Sequence, residues 1–190
     1  MKKVKVQVSR KFVPHSMLLS AAGRAIAKAK TKEDGYWWDL LSATLYCSLS
    51  IEAIGNTYGE TFITRWSDFE SSSPLAKMRI VAEHCRIEPD FSCEPWSCVS
   101  QLIKFRNKIA HANMETIEKE SIHDFEGYEK YLYTQPQSKL EKMVSEQFAL
   151  KCYDNIYDIL QLLADNLPED AVMNIEYGDW SGGSTIINEG

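Results

Sequence analysis

The stretch YWWDLLSATLYCSLSIEAIGNTY, residues 36–58, decides the fold because it predicts one long helix with two apolar sides. At about 100° per residue, the first side carries Leu40, Cys47, Ile51, Ile54 and Tyr58. The second side carries Trp38, Leu41, Leu45 and Leu49. A helix that is apolar on two sides is typical of the centre of a bundle. We therefore expect residues 36–58 to be surrounded by the other helices.

Two polar residues extend the second side of this helix. Glu52 continues the stripe, and Asn56 lies one turn beyond it. The pattern predicts a carboxylate that points inward at the end of an apolar face. We interpret both residues as structural supports for a site rather than as catalytic groups.

Helical patterns also flank the central helix. Residues 16–30 are rich in alanine, and Ser73 followed by Pro74 is a typical helix start, with serine as the N-cap and proline in the first turn. Residues 138–167 predict a second long helix. Its apolar positions recur every three or four residues, at Val144, Phe148, Cys152, Ile156, Leu160, Leu163 and Leu167.

These elements predict an all-α protein, an up-and-down bundle of four to five helices with two long antiparallel helices. A chain of 190 residues is expected to form a single domain, 1–190, with a core over about 16–167 and a tail over 168–190. Alternating residues near the start, and part of the tail, predict a short N- or C-terminal strand. Residues 112–138 are less regular and predict a loop, or a short helix with a loop.

Composition and charge limit the function classes. The chain is 44% hydrophobic and 11% aromatic, as expected of a folded globular protein. Its net charge of −6 excludes nucleic-acid binding through overall charge, so such binding requires a local basic patch. The sequence contains no P-loop, no glycine-rich dinucleotide motif, no H-E-x-x-H and no G-x-S-x-G.

The five cysteines do not predict a disulfide framework, because their number is odd and their spacing irregular. His84, Cys85, Cys93 and Cys98 are a candidate zinc cluster, but no C-x-x-C pair is present. Cysteine is also a common core residue, which is the interpretation we favour. We therefore expect no metal and no cofactor.

The sequence predicts a cytoplasmic protein without membrane helices. No run of 18 apolar residues is present. The N-terminal segment is basic, but Arg24 and Lys28 interrupt the apolar part that a signal peptide needs.

The stretch FRNKIAHA, residues 105–112, lies near the end of another predicted amphipathic helix. On a helical wheel, Arg106 falls near the centre of the apolar face, between Val99 and Leu102. A buried, unpaired guanidinium is very costly, so Arg106 requires a carboxylate, a ligand or a cleft open to water. The structural alternative to a functional role is an ion pair with Glu52.

Asn107 and His111 are four residues apart and share a helix face. Arg106 and His111 are five apart, which separates them by about 140° on a regular helix. They converge if the helix ends near Ile109 and His111 turns back, or if the long Arg106 side chain wraps around the helix. The third route is a cleft to which two subunits contribute both residues.

The pattern of Arg106, Asn107 and His111 resembles the R-x(4–6)-H motif of the HEPN superfamily, where a polar residue after the arginine is typical. The upstream helix with Glu52 and Asn56 matches the layout of that family. The resemblance covers residues 16–167 as architecture, and about a dozen residues as specific sequence.

This resemblance implies a helical bundle that forms a homodimer and pairs two motifs across one cleft. Many HEPN proteins are metal-independent endoribonucleases of toxin–antitoxin, phage-defence and RNA-processing systems. His111 would act as general base or acid, Arg106 would hold the scissile phosphate, and Asn107 would orient either His111 or the phosphate. Lys104 and Lys108 would provide a basic patch for RNA. The implied product is a 2′,3′-cyclic phosphate, and the implied partners are RNA, a second copy, and an antitoxin or regulatory protein.

Two other interpretations stay open. The first is a HEPN-like bundle without catalysis that serves as a nucleotide- or RNA-binding module or as a protein-interaction module, because a fold does not determine a function. The second is a plain helical interaction protein in which the short motif is accidental. The Tyr-rich stretch 125–133 could stack on RNA bases, but packing against the bundle is the interpretation we favour.

Overall fold

The computed structural model describes residues 3–168, 172, 175 and 180–187, and these form a mainly helical bundle. The helices of the described part are α1 (Pro14–Ala29), α2 (Tyr36–Phe62), α3 (Pro74–His84), α4 (Ser97–Ala110), α5 (Glu129–Leu132), α6 (Lys139–Met143) and α7 (Glu146–Ala164). A 3₁₀ turn covers Trp66–Phe69, and the strands are β1 (Lys3–Arg10) and β2 (Trp180–Ile187). The prediction of a mainly helical bundle is confirmed, and the structure also contains a small two-stranded sheet.

Helix α2 is the centre of the bundle, as its sequence predicts. It packs against α1, α3, α4 and α7, and the residues of its first apolar side are all buried. Its second apolar side is less buried than the first. Trp38 and Leu49 are exposed, while Leu41 and Leu45 are half-buried against a smaller core cluster that includes Phe105. Only the two middle residues of this side, Leu41 and Leu45, contact that cluster.

The C-terminal helical segment is divided in two, so the prediction of one helix over 138–167 is wrong. Val144 is extended (φ −81°, ψ 96°) and separates α6 from α7. The Ser145 hydroxyl then caps α7 by accepting a hydrogen bond from the Phe148 amide at 3.2 Å. Val144 is nevertheless buried, so the apolar periodicity continues across a break in the backbone. The apolar periodicity of the sequence therefore does not reveal the break between α6 and α7.

The two ends of the chain form an antiparallel ribbon in which Lys3 lies opposite Ile187 and Arg10 opposite Trp180. The two strands pack chiefly on each other. The sequence predicts a strand at either end but not their pairing, which joins residues that are far apart along the chain. Most of the remaining tail, 168–190, lies outside the described residues.

The Tyr-rich segment 125–133 does not pack against the bundle, so that prediction is wrong. Phe125 and Tyr133 are largely exposed, and α5 makes only marginal contact with other elements. The same segment contains Glu126 and Glu129, and charged side chains favour a solvated segment.

The cysteines are mainly core residues, as the sequence indicates. Cys85 and Cys98 are buried, whereas Cys93 and His84 are exposed. Burial raises the pKa of the Cys47 thiol to about 12. Within residues 3–168 and the short described segments after them, no three metal-ligating side chains come together.

None of the helices in the described ranges combines the length and the apolar character that a bilayer crossing requires.

His15 is buried at the start of α1. Its imidazole is 2% exposed, and Nδ1 lies 3.4 Å from the Thr57 hydroxyl. Burial lowers the pKa of His15 to about 4 because it disfavours the charged ring. The unfolded chain, with a histidine pKa of about 6.5, binds the proton first as the pH falls.

We expect the free energy of unfolding to decrease between about pH 7 and pH 4, with about 3 kcal/mol of the decrease due to His15. The sign follows from the lowered folded-state pKa, which makes stability rise with pH across this window. The measurement is urea unfolding of the wild type and His15→Gln at several pH values. The difference between the two proteins should shrink toward pH 4, and a constant difference would contradict the prediction.

Candidate functional site

Arg106 lies at the margin of the buried face of α4 rather than at its centre. Val99, Leu102 and Phe105 fill that face and are completely buried. The Arg106 side chain is 39% exposed, so two of the three surroundings that the sequence allows for it, a carboxylate and access to water, are present together. Its long side chain leaves the apolar face and places the guanidinium beside polar groups at the edge of the bundle.

The guanidinium has two partners. Nη1 donates a hydrogen bond to Asn107 Oδ1 at 3.1 Å, and Nη2 lies 3.8 Å from Glu52 Oε2. The ion pair with Glu52 that the sequence offers as an alternative is therefore present. Exposed pairs of this kind contribute between about 0 and 1 kcal/mol. Arg106 is held loosely and remains open to solvent.

Glu52 has a second cation that sequence reasoning missed. Lys77 of α3 is 2% exposed, and its Nζ lies 3.5 Å from Glu52 Oε1. Glu52 therefore lies between a buried lysine and a half-exposed arginine. The sequence contains the clue, because Lys77 adjoins Met78 and Val81 in the apolar stripe of α3, the same irregularity that singled out Arg106.

Gly55 brings α3 close to α2 at this point. A Cβ at Gly55 would lie 3.0 Å from the Lys77 Cβ, which is tighter than ordinary packing. Glycine inside a helix costs about 1 kcal/mol relative to alanine, so a close approach is the physical reason for it here. Helices α2, α3 and α4 therefore meet around the Glu52 carboxylate.

Asn56 lies one turn after Glu52, as predicted. Both residues line a groove on the surface of the bundle. The groove has a volume of about 520 Å³, and its other wall includes Lys11 and Phe12. The Asn56 Oδ1 atom is buried and accepts no hydrogen bond from the residues that the structure describes. Asn56 therefore carries an unsatisfied hydrogen-bond acceptor below the surface of the groove.

His111 is the residue at which α4 ends. The helix stops at Ala110, and His111 has non-helical dihedral angles (φ −119°, ψ 27°). Its backbone N–H donates to the Asn107 carbonyl at 3.0 Å. The imidazole is exposed, and no described group hydrogen-bonds to it. The sequence predicts that His111 can turn back toward Arg106 if the helix ends near Ile109. The observed end of α4 at Ala110 meets that requirement.

Lys104 and Lys108 are both exposed on α4. Lys108 Nζ lies 3.9 Å from the Met143 sulfur, which is a weak acceptor. Neither lysine forms an ion pair with a described carboxylate, so both can bind an external anion.

The arrangement combines a loosely held guanidinium, an adjacent amide and an exposed imidazole. A guanidinium binds phosphate or carboxylate oxygens through paired hydrogen bonds, and an exposed imidazole can exchange protons with a bound molecule. These groups are suited to binding a phosphodiester and moving a proton beside it. No protein-family model, no curated protein and no solved structure matches this chain.

Proposed function

We propose that this chain is a HEPN-like metal-independent endoribonuclease in which Arg106, Asn107 and His111 line a cleft shared by two subunits. One observation supports it most. Arg106 is oriented by Glu52 at 3.8 Å and Asn107 at 3.1 Å while 39% of its side chain stays exposed. The guanidinium can therefore exchange a weak carboxylate contact for a phosphodiester without a movement of the helix.

In the proposed reaction, the His111 imidazole of one subunit accepts the proton of an RNA 2′-hydroxyl. The oxygen forms a bond to the adjacent phosphorus, and the bond to the 5′ oxygen breaks. The leaving oxygen takes a proton from the His111 imidazolium of the other subunit, which gives a 2′,3′-cyclic phosphate and a 5′-hydroxyl. Arg106 stabilises the negative charge on the phosphoryl oxygens, and Asn107 keeps the guanidinium in place.

Other residues have supporting roles in this proposal. Glu52 orients Arg106 from α2, Asn56 supports the same face of that helix, and Lys104 and Lys108 attract the RNA backbone. The protein would act in the cytoplasm as a toxin or defence nuclease, with an antitoxin or a regulatory protein as a further partner.

We expect wild-type protein to cleave mixed RNA in EDTA, and His111→Ala to be at least about 100-fold slower because general acid–base catalysis contributes that much. His84→Ala is the matched control, since His84 is also exposed but lies on α3. The measurement is gel separation of the products with a test for cyclic-phosphate ends. Equal cleavage by His111→Ala, or cleavage that needs added Mg²⁺, would refute the proposed site.

A second candidate is the non-catalytic HEPN-like module that binds a nucleotide, RNA or a protein. The Arg106–Glu52 ion pair favours it, because the arginine already has a structural partner. Binding of RNA by wild type without any cleavage would support this candidate.

A further inference from the structure

Residues 3–11, KVKVQVSRK, form a strongly basic segment in an acidic chain. They contain four cationic residues and no acidic residue, whereas the whole chain has a net charge of −6. Strand β1 accounts for most of this segment. The local positive charge of this segment therefore attracts any polyanion that binds the protein.

The cations of this segment are free to meet a ligand. Lys5, Arg10 and Lys11 are all exposed, and none forms an ion pair with a described carboxylate. The ribbon adds polar groups, including a hydrogen bond of 2.7 Å between the Ser9 and Ser181 hydroxyls. An isolated two-stranded ribbon is only marginally stable in water, so a bound partner would also stabilise it.

Phe12 follows the basic segment and provides a surface for stacking. Its ring is 52% exposed, and the Arg10 guanidinium carbon lies 5.5 Å from the ring centroid. An exposed aromatic ring with a cation beside it is the combination that binds a nucleobase together with its phosphate.

A groove connects this segment with the candidate site. Lys11 and Phe12 line one wall, and Glu52 and Asn56 line the other. The Glu52 carboxylate is also the group that contacts Arg106. Glu60 lies on the Glu52 wall as well, so a polyanion is expected to follow the Lys11 and Phe12 wall.

We propose that β1, Lys11 and Phe12 are a binding site for single-stranded RNA that flanks the phosphodiester at Arg106. This inference rests on the proposed function. Lys5, Arg10 and Lys11 contact phosphates, and Phe12 stacks on a base. RNA is favoured over an anionic membrane or a second copy of the chain because the basic segment and the stacking ring border a groove whose opposite wall contains Glu52, the residue that contacts Arg106.

The test measures binding separately from cleavage. The probe is a fluorescent single-stranded RNA with 2′-O-methyl groups, which the proposed mechanism cannot cleave, and the readout is fluorescence anisotropy in EDTA at several salt concentrations. The test protein is Lys5→Gln/Arg10→Gln/Lys11→Gln. The matched control is Lys30→Gln/Lys119→Gln/Lys139→Gln, which removes the same charge from exposed lysines elsewhere.

We expect the test protein to bind at least about tenfold more weakly than wild type, with a slope of log affinity against log salt smaller by about 2. Phe12→Ala should weaken binding by about tenfold with the slope unchanged, because stacking does not release ions. The lysine control should remain close to wild type.

Equal binding by the test protein and the control would overturn the inference even if wild type cleaves RNA. Failure of wild type to bind the probe would also overturn it. Binding that depends on Lys5, Arg10 and Lys11, without cleavage of natural RNA, would refute the nuclease and leave the binding site intact. Loss of dimers, or of binding to anionic vesicles, in the test protein with RNA binding unchanged would assign the segment to a protein or lipid partner instead.

Discussion

Gly59→Ala should destabilise the protein by about 3 kcal/mol or more, although alanine is the better helix former. Gly59 lies in the last turns of α2, where the Trp66 indole packs against the backbone. A Cβ at Gly59 would lie 2.3 Å from two indole carbons, Cδ2 and Cε2. Trp66 is 5% exposed and belongs to the main core, so it has to leave its position if the methyl group is added.

The measurement is the free energy of unfolding in urea, and two further variants test whether the clash with Trp66 is the cause. Gly127→Ala adds the same methyl group where no atom lies within 4 Å, and it should change stability by less than about 0.5 kcal/mol. In Trp66→Leu, a further Gly59→Ala change should cost far less than it does in wild type, because the indole that causes the clash is gone. Additive effects of the two changes would contradict this account.

The helical architecture was predictable because apolar periodicity is a local property. Ser73 is an example, since its hydroxyl accepts the Ala76 amide at 3.2 Å, as the Ser-Pro start of α3 predicts. The break at Val144 was hidden because a buried residue can occupy an extended position without interrupting the pattern. The pairing of β1 with β2 was not predictable, because register between distant strands depends on the folded chain.

The candidate site was predictable where a residue violates its helix pattern. Arg106 and Glu52 were identified in this way, and the structure places their charged groups 3.8 Å apart. Lys77 carries the same irregularity, but α3 is short and contains no motif that would distinguish a buried lysine from a solvated one. The sequence could not decide between a carboxylate partner and access to water for Arg106, because a helical wheel describes where the side chain starts and not where the guanidinium ends.

Glu52→Gln should destabilise the protein by about 3 kcal/mol, whereas Lys77→Met should be nearly neutral. The difference arises from burial. With Glu52 neutral, Lys77 is a buried ammonium group beside an amide, and the desolvation of its charge is no longer offset. With Lys77 replaced, methionine fills the space beside Gly55, and Glu52, which is 36% exposed, retains water and Arg106. The measurement is the free energy of unfolding in urea.

The double variant Glu52→Gln/Lys77→Met should be about as stable as Lys77→Met, since the charge that needs a partner is gone. Arg106→Met is the matched control, because it removes the other cation that Glu52 contacts. Its side chain is 39% exposed, so we expect a cost below about 1 kcal/mol. A Lys77→Met variant as unstable as Glu52→Gln would mean that the lysine contributes through its charge. The stability of α2 against α3 would then depend on an attractive ion pair, and Glu52 would be fixed by Lys77 rather than available to orient Arg106.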